Sequence, residues 1–190
     1  MTRRPLLAAL VSGFVLAHLA LWWRAIHWFP QLPERFPIHF DAAGTPDGWS
    51  TNHAAWFLLP AISLGLSAFL GAIARWSASL ARNAPALFNV PRKELFLKLS
   101  PDGRARVAGP TQAFMAWLLM LLQLLFLYIL EGSGRVAVGL DATLPSWPVF
   151  VFIGLVFATL PIYLIGTIKV VDRCAADEGV LSDAGGPRAR

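Results

Sequence analysis

Formal charge is what this sequence has least of. Of its 190 residues, 14% are Asp, Glu, Lys or Arg, against about a quarter in an ordinary soluble domain. Its single cysteine, Cys174, excludes an internal disulfide and a cysteine-based metal cluster. Also missing are a His-Glu-x-x-His helix, a glycine-flanked serine nucleophile and a phosphate-cradling glycine loop followed by lysine. Apolar residues fill the space, at 56% of the chain with a mean hydropathy of +0.58, which excludes a disordered protein.

Four stretches carry no formal charge: residues 5–23, 48–74, 107–130 and 142–168. A helix rising about 1.5 Å per residue crosses a hydrocarbon layer of about 30 Å in about 20 residues, so each stretch supplies one crossing. None alternates as a barrel strand would. The reading is an all-α integral membrane protein with four transmembrane helices. Helices are expected at 5–24, 54–76 and 111–130, with a fourth inside 131–171, and a polar tail at 172–190 is expected to be largely disordered. The first stretch is expected to stay in the protein, because Leu21-Trp22-Trp23-Arg24 lacks the small residues of a signal-peptidase site.

Basic residues orient the helices. With both termini cytoplasmic, 13 of the 16 Lys and Arg lie inside, leaving only Arg24, Arg35 and Arg135 outside. Topology thereby explains the sequence pI of 10.1, and nucleic acid is not an expected partner. The expected location is a bacterial inner membrane, crossed several times. No Asp, Glu, Lys or Arg lies within the four charge-free stretches, which argues against active transport. His18 stands there without a charged partner, so a neutral, hydrogen-bonded packing role is expected. Small residues at Ala9, Gly13 and Ala17, and at Ser63, Ser67 and Gly71, suit close packing within the bundle and leave homo-oligomerisation open.

The outer loop, 25–53, holds the densest chemistry. Phe36, Ile38 and Phe40 alternate with Pro37, His39 and Asp41, so an extended strand puts His39 beside Asp41. Thr45-Pro46-Asp47-Gly48 reads as a type I turn, and Ser50, Thr51 or Asn52 as a helix cap. Val136, Val138 and Leu140 also alternate, suggesting that residues 36–41 pair with 136–140 as a two-stranded outer cap. The binding or structural motif comprises Pro33, Glu34, Pro37, His39, Asp41, Gly44, Asp47, Gly48 and Trp49. His39 and Asp41 are weak candidates for a metal, and no spacing singles out a metal site.

The run Leu32-Pro33-Glu34-Arg35-Phe36-Pro37-Ile38-His39-Phe40, followed by Ala43-Gly44-Thr45-Pro46-Asp47-Gly48-Trp49, resembles the DUF1648 membrane domain of bacterial SdpI-type immunity proteins. Phe88-Asn89-Val90-Pro91-Arg92-Lys93 is similar to the asparagine-x-proline-x-lysine segment of shorter members, which marks Asn89, Pro91 and Lys93 as a cytoplasmic motif. Some members protect cells against a secreted toxic peptide and signal by capturing a repressor, and most have no assigned activity. The resemblance implies binding, immunity or signalling through the outer loop, with an extracytoplasmic peptide or protein as partner and no cofactor. A membrane-embedded, metal-dependent hydrolase built on His39 and the outer carboxylates is the alternative.

The cytoplasmic loop, 77–110, is expected to retain topology and touch anionic lipid. Residues 92–99 read as a short interfacial helix inserting Leu95, Phe96 and Leu99, with a hairpin about Pro101-Asp102-Gly103 as the competing reading.

Overall fold

A computed structural model of the chain describes residues 3–180. In chain order the elements are α1 (Arg3–Trp28), β1 (Phe36–Phe40), β2 (Pro46–Ser50), α2 (Leu58–Asn83), α3 (Lys93–Lys98), α4 (Pro101–Ala137) and α5 (Trp147–Asp177), with 3-10 turns at Phe29–Gln31 and His53–Phe57. Four helical stretches are long and apolar enough to cross a membrane: Pro5–Gln31, His53–Asn83, Pro101–Ala137 and Trp147–Asp177. Large apolar side chains along them, including Leu16, Phe69, Phe157 and Ile162, are exposed, as lipid-facing residues are. The protein is therefore a mostly helical, multi-pass membrane protein.

Two compact units divide the chain, one of Met1–Phe69 and Ala116–Val156, the other of Leu70–Met115 and Phe157–Arg190. In the first, Leu21, Ala25, Trp28, Phe36, Trp56 and Leu130 form the core. Two indoles are anchored there: Trp56 Nε1 donates to the Ala25 carbonyl at 2.9 Å and Trp28 Nε1 donates to Glu131 at 2.9 Å. Arg24 meets the same Glu131 carboxylate through two nitrogens, at 2.6 and 2.7 Å. This bidentate pair joins α1 to α4 at the expected end of the first helix, and α1 runs on to Trp28.

In the second unit, Phe88, Val90, Phe96 and Leu99 pack against Val107, Val170, Val171 and Cys174. Phe96 and Leu99 are thus buried in protein, which corrects the expected insertion of those side chains into lipid. The competing hairpin at Pro101-Asp102-Gly103 is absent, and those residues open α4 instead. Ser100 caps that helix, accepting from the Gly103 amide at 3.0 Å, and proline follows where its missing N–H costs no bond. At 37 residues, α4 is about 55 Å long, well beyond a hydrocarbon layer of about 30 Å.

Three further expectations fail. The chain is not purely α-helical: β1 pairs antiparallel with β2. That pairing also replaces the expected partnership with residues 136–140, because α4 continues to Ala137 and a turn closes with the Leu140 amide donating to the Arg135 carbonyl. Nor does order end at residue 171, since α5 reaches Asp177 and Glu178 accepts from Ser100. The rest of the expected tail, 181–190, lies outside the described residues.

Candidate recognition hairpin between α1 and α2

Proline and aromatic residues build the hairpin's base. The 3-10 turn at Phe29–Gln31 ends the first helix at Pro30, and the exposed Pro33 and Glu34 lead into the strand. Phe36 is fully buried, edge-on to Trp56 at 6.1 Å and to His53 at 5.5 Å. Pro37 is buried beside it, opposite Trp49. Asn52 accepts from the Ala54 amide at 3.0 Å and so caps the turn that opens α2, as the sequence suggests.

Beyond Pro37 the strict alternation stops. Pro37 pairs with Trp49 and His39 with Gly48, leaving Ile38 unpaired; Phe40 then pairs with Pro46, leaving Asp47 unpaired. Each strand thus carries one bulge, and bulges redirect side chains. Ile38 is turned out to 52% exposure, so Phe36, Ile38 and Phe40 do not share one apolar face. Asp47 meets His39 instead, with Oδ1 2.5 Å from the ring Nδ1. Gly48 makes the approach possible, since a Cβ on it would lie 2.7 Å from the His39 Cβ.

The turn lies upstream of its expected place. Asp41 closes it, its carboxylate accepting from the amides of Ala43 at 2.9 Å and Thr45 at 2.8 Å. Pro46 to Gly48 are strand, which corrects the reading of Thr45-Pro46-Asp47-Gly48 as the turn. Gly44 sits at φ +82°, and its missing Cβ leaves room for the Leu144 backbone, whose amide donates to the Gly44 carbonyl at 2.8 Å. The hairpin tip is therefore tied to the α4–α5 connection. Leu144 had no signal in the sequence, because nothing local marks a distant amide as the partner of a glycine carbonyl.

What the hairpin offers outward is a compact mixed surface. Ile38, His39, Asp47 and Trp49 are all exposed, and the Arg35 guanidinium sits 5.1 Å from the Trp49 ring centroid. His39 and Asp41 are not brought together as the alternation suggested. Among the described residues, no group of three His, Cys, Asp or Glu side chains is placed to hold a metal.

His18 is met by polar neighbours from three helices of the first unit. Trp22 Nε1 donates to its Nε2 at 3.2 Å, so the proton belongs on Nδ1, which lies 3.1 Å from Gln123 Oε1. Ser63 also donates to Gln123 Oε1 at 2.7 Å, and Gln123 Nε2 donates to Ser67 at 3.1 Å. This hydrogen-bonded arrangement fits the expected packing role. Of the small residues, Gly13 touches Met120, whereas Gly71 has open space beside it.

The Asn89, Pro91 and Lys93 motif lies in the second unit. Asn89 is exposed, and Pro91 precedes Arg92, which takes a left-handed conformation at φ 57°. Lys93 turns inward, donating to the carbonyls of Pro85 at 2.5 Å, Ala86 at 3.1 Å and Phe88 at 2.5 Å. Its charge closes a loop end that would otherwise carry unpaired acceptors.

Residues 15–64 match the family model described as Domain of unknown function (DUF1648). The match includes the hairpin, with His18 and Ser63 on its flanking helices, and bears out the resemblance to DUF1648, though not to its SdpI type, over that stretch. No curated protein matches the chain, and no solved structure does.

Proposed function

We propose that this multi-pass, DUF1648-like membrane protein works by binding an extracytoplasmic peptide or protein on its α1–α2 hairpin, and not by chemistry. The hairpin then faces outward from a bacterial inner membrane, with both termini cytoplasmic. The observation that carries the reading is the double bulge, which holds His39, Asp47 and Trp49 exposed on a short hairpin fixed at its base by buried Phe36 and at its tip by Leu144. A fixed, aromatic and charged exposed surface is what recognition without large ordering cost requires. Immunity to a toxic peptide and signalling are two uses of such binding.

A photo-crosslinking residue at Ile38 in intact cells tests this, with one at Leu16 as the lipid-facing control. A discrete protein or peptide adduct specific to position 38 is expected. Only lipid adducts at both positions would contradict the proposal.

A further inference from the structure

Carboxylates in the second unit are nearly all spent on ion pairs. Asp102 meets Arg82 at 2.9 Å, Asp172 meets Arg92 at 3.2 Å, and Asp177 and Glu178 each lie 3.3 Å from Arg106. Lys98 and Lys169 are exposed and have no carboxylate partner among the described residues. Positive charge is left over on Lys98 and Lys169, as it is on Arg75, Arg104 and Arg173. A groove of about 580 Å³, lined by Arg92, Lys93, Glu94, Leu95 and Lys98, opens along α3. The Arg92–Asp172 contact brings the start of this groove close to α5. Lys169 precedes Asp172 by three residues and so lies on the same side of that helix.

Depth and apolar surface point to the occupant. The charge-free run of the fourth span ends at Ile168, so Lys169 is the first cation after it, and the first cation after a span is suited to meet lipid phosphates. The same loop exposes Leu87 and Leu97, at 74% and 43%, next to its cations. Exposed leucines beside a basic groove suit a molecule that carries both an acidic headgroup and acyl chains. Glu94, the one unpaired carboxylate in the groove, lowers its charge but leaves cations in excess. Lys93 is held by three backbone carbonyls at the groove's edge.

We propose that the α3 groove is a headgroup site for an anionic phospholipid, with Lys98 and Lys169 facing the phosphate and Leu95 and Leu97 the upper acyl chain, while Arg92 is engaged with Asp172. The site holds the cytoplasmic loop against the membrane and is independent of the hairpin.

Native mass spectrometry of the full chain from mixed micelles of equimolar phosphatidylglycerol and phosphatidylcholine reads this directly. Bound lipid is expected to be enriched in phosphatidylglycerol, and Lys98→Gln with Lys169→Gln should reduce the enrichment by about fivefold per cation removed. Both side chains are exposed, so the double variant keeps its fold, and an unchanged melting temperature verifies that. Arg35→Gln on the hairpin should leave the enrichment intact. Equal binding of the two lipids, or an enrichment that survives the double variant, would overturn the site. Displacement of the lipid by millimolar inorganic phosphate would reassign the groove to a free anion.

Discussion

His39 Nδ1 lies 2.5 Å from Asp47 Oδ1, across two bulged strands whose closest approach is permitted by Gly48. The acidic-glycine pair of the family-like motif therefore does not make a turn. One residue holds the histidine, and the next makes room for it.

That division of labour separates two variants. Asp47→Asn removes an ion pair whose side chains are 72% and 47% exposed, and such pairs contribute at most about 1 kcal/mol. Its melting temperature in detergent should stay close to that of the wild type. Gly48→Ala forces a Cβ into His39 and should cost about 1–3 kcal/mol, seen as a lower melting temperature and faster hydrogen exchange in residues 36–50. Equal effects of the two substitutions would show that the hairpin's geometry does not depend on this contact.

How much of this was legible in the sequence follows from the reach of each interaction. Charge-free runs show the spans, because lipid excludes charge over a fixed length. The motif residues were visible as types, whereas the pairing of His39 with Asp47 instead of Asp41 was not. Alternation presumes an unbroken ladder, and two bulges reset the register between Pro37 and Phe40. Ser100 illustrates another blind spot: Ser-Pro-Asp-Gly suits a turn or a helix start, and Glu178, 78 residues away, engages the helix start.

The intramembrane network should be sensitive to its central amide. Gln123 is nearly fully buried and bonds His18, Ser63 and Ser67. Gln123→Leu leaves those groups without their partner and should cost about 1–2 kcal/mol, measured as resistance to unfolding in mixed micelles. Ser67→Ala removes one bond and should cost less. A Gln123→Leu variant as stable as the wild type would mean that the network does not hold α1, α2 and α4 together.

Acid should loosen the start of α4. The Ser100 amide and hydroxyl, with Arg106 nearby, hold the Glu178 carboxyl below its ordinary value of 4.5. A depressed carboxylate contributes stability above its unfolded-state pKa and loses it as pH falls through the folded value. Protection of the Ser100–Gly103 amides, read by hydrogen exchange corrected for intrinsic rate, should therefore be constant near neutrality and fall below about pH 4. Glu178→Gln should remove that pH dependence. Protection that stays flat through the acid range in the wild type would argue against the Glu178 latch.

Orientation can be read with introduced thiols, since the native Cys174 is buried. Ala42 and Asn89 are both exposed, the first on the hairpin and the second in the α2–α3 connection. A membrane-impermeant maleimide applied to intact cells should label Ala42→Cys and spare Asn89→Cys until the cells are opened. The reverse pattern would put the hairpin in the cytoplasm and withdraw the proposed extracytoplasmic partner.

The most direct measurement places a photo-crosslinking residue at Trp49 and compares adducts formed in intact cells by otherwise wild-type protein and by an Asp47→Asn background. A discrete protein or peptide adduct that weakens severalfold with Asp47→Asn, at unchanged protein level, is the result expected if the His39–Asp47 pair shapes a recognition surface. An adduct indifferent to Asp47, or no adduct beyond lipid, would contradict it.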